Sequence, residues 1–414
     1  MSWKKVTLGD ISSNIQTGPF GSQLHQSDYS EEGTPVVMPK DLVNGHISEA
    51  SIARVSEDHV NRLTRHKIEV GDILYSRRGD VGRCAFATEA EEGWLCGTGC
   101  LRVTIDRSKA NPKFVFYQLQ KAETVGWVEK HAVGATMLNL NTSILSSVPI
   151  EMPSLAEQEV IVDVLSAYDD LIENNQKQIR LLEEAAQRLY KEWFVDLRFP
   201  GHETTPITDG IPEGWEITSI GDIGCNIESG SRPKGGIDSS LTNGIPSIGA
   251  ENVIGLGKYN YAADKFITDE FYSSMKRGKL KNRDILVYKD GAYIGRTSLF
   301  QDGFPHKYAA VNEHVFLLHT ENELLQYYLF FTLYQYEYFQ KMQKLNKNAA
   351  QPGINAKAML SLDVVVPPVS LIQKFDDFVS PIMRSIFAKA KQNRELSEAR
   401  NRLLPKLMNG EIEV

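Results

Sequence analysis

The chain has 414 residues, 45 Lys and Arg against 53 Asp and Glu for a net charge of −8, and 42% hydrophobic and 24% charged side chains. This is the balance of a globular chain too long for one ordinary core, and it excludes collagen-like, disordered and uniformly basic classes. With no run of eighteen apolar residues and no apolar middle in the opening MSWKKVTLGDI, the chain reads as cytoplasmic.

In chain order, residues 1–154 alternate short β-branched runs such as SVPIEM with turn residues and short helical stretches such as PKFVFYQLQ, which predicts a mixed α and β globule. Residues 155–195 follow as one long helix. Its positions Ile161, Leu165, Tyr168, Ile172, Asn175, Ile179, Leu182, Ala186, Leu189 and Trp193 keep a 4,3 spacing over more than four heptads, the pattern of a coiled-coil seam. Residues 196–214, rich in Pro, Gly and Thr and without periodicity, read as a linker. A second globule covers 215–370, with LDVVVP and LLQYYLFFTLY as its strand and helix signals. A second helix covers 371–408, with seam positions Phe375, Val379, Ile382, Ile386, Asn393, Leu396, Leu403 and Leu407. That seam is weaker: Lys389, Asn393 and Arg400 interrupt it, and Pro381 predicts a frayed or kinked start.

The two halves repeat one another. WKKVTLGDISSNIQTG (3–18) aligns without a gap on WEITSIGDIGCNIESG (215–230), and GTPVVMPKDL (33–42) meets GIPSIGAENV (244–253). DILYSRRGDVGR (72–83) meets DILVYKDGAYIGR (284–296), and Asn141 and Pro153 fall on Asn355 and Pro367. The fold class expected is therefore α+β: two mixed α/β globules in a pseudo-symmetric tandem repeat, separated by two long helices that pair as an antiparallel coiled coil. Residues 155–195 sum to −5 and residues 371–408 to +4, while both globules are close to neutral. Opposite charges beside a seam favour pairing of the two helices with each other, and antiparallel pairing about their midpoints sets Asn175 opposite Asn393.

No catalytic constellation emerges. GSRPKGG at Gly230 has Gly236 where a P-loop needs Lys, and GTGCLR lacks the third glycine of a dinucleotide fingerprint. Asn111-Pro112 runs into Lys113 rather than a second proline, so the signature expected of an adenine methyltransferase is missing. Neither a metal nor a cofactor is called for. Cys84, Cys96, Cys100 and Cys225 are too few and too uneven for a disulfide framework, and they read as reduced, partly buried thiols. His46, His131 and His314 read as structural or surface histidines.

The basic residues are more informative. The first repeat offers Arg62, Arg65, Lys67, Arg77, Arg78 and Arg83 around its strand-turn motif. The second offers Lys276, Arg277, Lys279, Lys281 and Arg283, then Lys289 and Arg296, with Lys341, Lys344 and Lys347 before NAAQPGIN. A charge run ordinarily means a solvated face. Recurrence at equivalent places in both halves favours a surface in which basic groups on glycine turns grip phosphates, while Arg, Asn and Gln read base edges.

Taken together, the repeated WKKVTLGDI and WEITSIGDI, TGPFGSQL, DILYSRRG, GATMLNLN, the long stretch from MPSLAEQ to WFVD and the terminal LLPKLMNGEIEV resemble the specificity subunit of type I restriction-modification systems. One departure is NAAQPGIN, which lacks the leading glycine of GATMLNLN. The resemblance implies a non-catalytic subunit with two target-recognition domains, each reading one half of a split site in double-stranded DNA. It also implies helices that set the gap and dock two adenine-methylating modification subunits, and an assembly that recruits ATP-driven restriction subunits. The competing readings are a coiled-coil adaptor that binds proteins rather than DNA, and a methyltransferase or nuclease acting alone.

Overall fold

The computed structural model describes residues 3–134, 137–291, 293–346 and 353–412. Lys347 and residues 348–352 of NAAQPGIN, like residues 135 and 136 of GATMLNLN, lie outside them. The chain divides into two compact units, Met1–Asp170 with Ser397–Val414, and Leu171–Leu396.

In the first unit an antiparallel sheet has the order β1 (Ser12–Thr17), β4 (Cys100–Ile105), β2 (Ile73–Ser76), β3 (Cys84–Phe86). A smaller sheet pairs Thr34–Val37 in parallel with Leu95–Cys96 and antiparallel with Ala53–Val55. Lys4–Thr7 closes against Pro149–Met152 with Lys4 opposite Met152. The helix Pro112–Leu119 begins where Asn111 Oδ1 accepts from the backbone N–H of Lys113 at 2.9 Å, with proline at its first position. Asn111-Pro112 is thus a helix start, which explains the dipeptide without any methyltransferase chemistry.

The second unit repeats this plan. Its main sheet has the order β5 (Cys225–Ser229), β8 (Val315–Thr320), β6 (Ile285–Tyr288), β7 (Thr297–Leu299). Ile245–Ile248 pairs in parallel with Ala310–Val311 and antiparallel with Phe266–Ile267. Glu216–Ser219 closes against Asp363–Val366.

The long helices are α1 (Leu155–Tyr190) and α2 (Val369–Met408). Helix α1 opens on a reciprocal cap: Ser154 Oγ accepts from the Glu157 N–H at 3.3 Å and Glu157 Oε2 from the Ser154 N–H at 3.0 Å. Antiparallel pairing is visible inside each unit. In the first, Ile161 and Leu165 share a core with Leu404, Leu407 and Met408, flanked by Leu403, and Arg400 Nη1 meets Asp169 Oδ1 at 2.5 Å. In the second, Asn175 Nδ2 donates to Asn393 Oδ1 at 3.0 Å, and Trp193 packs on Phe375 at 6.2 Å between centroids. Ile161, Leu165, Asn175, Ile179, Ala186 and Trp193 are buried, while Tyr168, Ile172, Leu182 and Leu189 are half-buried.

Helix α2 departs from expectation in two ways. It runs without a break from Val369 through Pro381, so the frayed start is not there; the ring sits on an exposed position. Between 371 and 390 it also buries more than a seam: Ile372, Met383, Phe387 and Ala390 join Phe375, Val379 and Ile386 in the core, with Ile382 partly buried against it. There α2 packs against its own globule as well as α1, as Phe387 does on Phe304 at 5.7 Å. Asn393 and Leu396 are half-buried. The stretch 196–214 is ordered. It holds a short hairpin, Ile207–Thr208 with Ile211–Pro212, and the ion pairs Lys191–Asp196 and Arg198–Glu192 at 2.6 Å each. No helix among the described residues is long and apolar enough to cross a membrane.

Candidate nucleic-acid interface

Each unit carries the same turn on the same support. In the first, β2 ends at Ser76 and the turn through Arg77–Arg83 leads into β3. In the second, β6 ends at Tyr288 and the turn leads into β7. The Arg77 carbonyl accepts from the Leu140 N–H at 2.8 Å, and the Lys289 carbonyl from the Ile354 N–H at 2.8 Å. Both turns are thereby tied to the segment that ends at Asn141 or Asn355. Those two asparagines cap short helices, accepting from the Ile144 and Ala358 N–H groups at 2.8 Å each. Their recurrence is scaffold.

The glycines that open each repeat are scaffold too. A Cβ on Gly18 would lie 1.9 Å from the Gly97 carbonyl oxygen and one on Gly230 1.5 Å from that of Val311, so no larger residue fits either backbone approach. This packing accounts for Gly230, the first glycine of the stretch that mimics a P-loop. Asp72 and Asp284 are buried at the start of β2 and β6, each accepting from the backbone N–H three residues earlier, Glu69 at 2.8 Å and Lys281 at 2.7 Å. Burial raises both carboxyls. Asp284 is pushed up to about 6 against the opposing pull of the Lys281 N–H and of His319. Asp72 is countered by Thr104 and Arg102, the latter at 3.3 Å.

The basic residues sort into two groups. Arg78, Lys276, Arg277, Lys281 and Lys344 are exposed and have no side-chain partner among the described residues. The others are held. Arg62 donates to the Gln23 carbonyl at 2.8 Å, Arg65 to His66 Nε2 at 3.0 Å, and Arg83 to Asp80 at 2.8 Å. Arg77 lies 5.0 Å over the exposed Phe20 ring, and burial, then Arg78, lowers its pKa. Lys279 sits over Tyr272, Lys289 over Phe316 and Arg296 over Tyr293, the last at 3.7 Å. Lys341 pairs with Glu337 at 2.7 Å. Arg62, Arg65 and Arg83 are exposed, and Arg77, Lys279, Lys289, Arg296 and Lys341 are half-buried.

Arg283 does not fit the expected role. With a φ of 67° its side chain turns inward, 4.4 Å over the Tyr327 ring and 3.5 Å from Asp376 on α2. It ties β6 to the helix, so its side chain is engaged within its own unit rather than standing free as part of a charge run. The four cysteines are buried, and burial pushes the thiols of Cys84, Cys96 and Cys225 up to about 12.

Residues missed in the sequence lie beside the second turn. Arg232, Glu313 and His314 gather there with Asp290, and Arg232 and His314 line a cleft shared with Glu251, Lys265 and Asn312. Arg232, Asp290 and the adjacent pair Glu313 and His314 come from three separate segments, so no spacing could have announced them. Phe20 stands at the matching place in the first unit.

Comparison with known proteins agrees with this plan. The family model of the type I restriction modification DNA specificity domain matches residues 1–184 and again 212–397. The chain is 28% identical over 388 residues to the type I restriction enzyme MjaIX specificity subunit of Methanocaldococcus jannaschii, covering 92% of this chain and 87% of that protein. It is 22% identical over 479 aligned residues to the HindI specificity subunit of Haemophilus influenzae, covering 99% of each. Among solved structures, the type I restriction-modification S subunit from M. genitalium shares the fold with a TM-score of 0.60 at 18% identity, over 98% of this chain and 96% of that one.

Proposed function

The chain belongs to the type I restriction-modification DNA specificity family, and from that premise we propose that it is the non-catalytic subunit that chooses the DNA sequence for a cytoplasmic type I complex. Each unit reads one half of a bipartite site in double-stranded DNA. Helices α1 and α2 set the gap and dock two modification subunits, and restriction subunits join the assembly. The observation that carries this reading is the repeated turn, seated on the same backbone contacts in both units and carrying basic side chains in both: Arg77, Arg78 and Arg83 in one, Lys289 and Arg296 in the other. Two equivalent scaffolds with different tips suit two half-sites of different sequence. A coiled-coil adaptor for proteins would have no use for cations recurring at the turns.

The test uses the full chain with the modification subunits of its own locus and maps methylated adenines across a DNA library. Replacing Arg77, Arg78 and Arg83 with Ala should weaken recognition of one half-site, and replacing Lys276, Arg277 and Lys281 the other. Loss that varies with sequence marks base contacts, whereas uniform loss with a shallower salt dependence marks phosphate contacts. Unchanged methylation by both triple variants would remove these basic residues from the interface. The same map reads the gap, which should widen by about two base pairs when both helices are lengthened by four residues beside Asn175 and Asn393, at about 1.5 Å per residue and 3.4 Å per base pair.

A further inference from the structure

Arg83 and Arg296 close the two turns at equivalent points. The Ser76 N–H donates to the Arg83 carbonyl at 2.8 Å and the Tyr288 N–H to the Arg296 carbonyl at 2.9 Å. Each arginine's own N–H donates to the carbonyl three residues earlier, that of Asp80 at 3.4 Å and that of Tyr293 at 3.1 Å. The glycine before each is pressed by a helix. A Cβ on Gly82 would lie 2.6 Å from Val125 Cγ1 on the helix Ala122–His131, and one on Gly295 3.1 Å from Met342 Cβ on the helix Tyr336–Lys344. Strand pairing on one side and a packed helix on the other thus fix where each arginine leaves the backbone.

The residue three positions earlier also braces each side chain, by different chemistry in the two units. Arg83, 41% exposed, donates from Nε at 3.0 Å and from Nη2 at 2.8 Å to a single oxygen, Asp80 Oδ2. That contact takes the edge shared by Nε and Nη2. Nη2 keeps its second hydrogen, and Nη1 has no partner among the described residues, so the edge formed by Nη1 and Nη2 stays open as a complete two-donor fork. Arg296 lies 3.7 Å over the exposed Tyr293 ring. The ring braces the guanidinium without supplying an acceptor, and its donors have no hydrogen-bond partner among the described residues. What surrounds the two arginines differs: Arg77, Arg78 and Asp80 in the first turn stand against Lys289, Asp290 and Tyr293 in the second. A side chain kept on a fixed backbone while its neighbours change suits what two half-sites of different sequence have in common, the sugar-phosphate backbone. A phosphate offers its two unesterified oxygens to such a fork.

We propose that Arg83 and Arg296 are the equivalent phosphate anchors of the two units, each gripping one backbone phosphate of its own half-site, and that neither reads a base. The proposal rests on the DNA-recognition reading above and assigns the class of contact which that reading leaves open. The test uses the full chain with its modification subunits. Affinity is measured across a salt series for DNA bearing the mapped site and for DNA altered in either half-site. Each phosphate contact contributes about 0.9 to the slope of log affinity against log salt. Arg83→Ala and Arg296→Ala should each make that slope shallower by about 0.9, and both together by about 1.8, with the same fold loss of affinity on every sequence. Arg83→Lys and Arg296→Lys, made in case the alanine variants assemble poorly, keep the charge and lose the fork. They should keep the slope and weaken binding by a smaller factor, again the same on every sequence. The methylation map of every variant should show the base preferences of the wild type. A slope unchanged by both alanine variants, or a base preference relaxed at any position in any variant, would overturn the assignment. A wild-type complex that methylates no bipartite sequence would overturn the underlying function, and that result appears before any variant is made.

Discussion

Replacing the polar pair of the helical seam offers a quantitative check on how α1 and α2 find their register. Asn175 is 5% exposed, and its amide donates to Asn393 Oδ1 and to Gln392 Oε1 at 3.0 Å each, while Asn393 Nδ2 reaches the Ile172 carbonyl at 3.3 Å. Asn175→Leu alone removes the donor and strands the Asn393 oxygen against an apolar side chain. A polar group left unsatisfied when fully buried costs about 1–3 kcal/mol, and the half-buried Asn393 should lie toward the lower end of that range. Asn393→Leu alone should cost somewhat less, because Asn175 keeps Gln392. The double replacement removes both polar groups and should recover most of that loss or exceed the wild type, at the expense of a defined register. The coupling energy from the cycle should therefore be about 1–2 kcal/mol. A chain of two units need not unfold in one step, so the assay is hydrogen exchange at the amides of 172–179, which reports the opening free energy of that segment. Coupling below about 0.3 kcal/mol, or a single replacement as stable as the double, would refute the claim that these side chains specify the pairing.

Two further outcomes follow from the first unit. His66 is fully buried beside Arg65 and Arg102, and burial first, then those two charges, lower its pKa from 6.5 to about 4. The unfolded chain takes up this proton before the folded one does. The contribution of His66 is therefore intact above about pH 6.5, shrinks as pH falls towards 4 and is constant below that, by at most about 3 kcal/mol; His66→Phe should flatten that slope in denaturation followed at several pH values, and an unchanged slope would place the titration elsewhere. Gly18→Ala forces a Cβ into the Gly97 carbonyl and should destabilise the first unit by about 1–3 kcal/mol, lowering its melting transition while methylation maps keep the second half-site requirement; loss of the second requirement instead would contradict the independence of the two scaffolds.

What could be read from the chain beforehand was whatever repeats with a short period or aligns without a gap. The seam of α1 obeys a heptad because two helices meet along one stripe, and Ile161, Leu165 and Ile179 are buried accordingly. The seam of α2 was harder to see: between 371 and 390 it serves two neighbours, so Met383 and Phe387 are buried off the heptad positions. The turns at 77–83 and 289–296 were legible because Gly79, Gly291 and Gly295 take positive φ, a backbone demand that local sequence must meet. The stacking of Arg283 could not be foreseen, since its partner Tyr327 is distant in sequence, and a stacked arginine and a solvated one look alike in a string of letters. Arg232, Asp290, Glu313 and His314 were invisible as a group for the same reason: the sheet order, not spacing, brings them together.

The division of the chain also has a bearing on its synthesis. The first unit includes Arg400 against Asp169, Leu404, Leu407 and Met408 in the core with Ile161 and Leu165, and the Met408 carbonyl accepting from Gln118 Nε2 at 3.2 Å. A ribosome delivers those closing residues only after the whole of Leu171–Leu396 has been made. Domains normally fold as they emerge, the earliest first. Here the globule translated first must wait with the apolar side of its helix uncovered, and the one translated second is the first to be complete. The nascent form of the first globule is therefore the stage at which a chaperone would find exposed leucine and isoleucine.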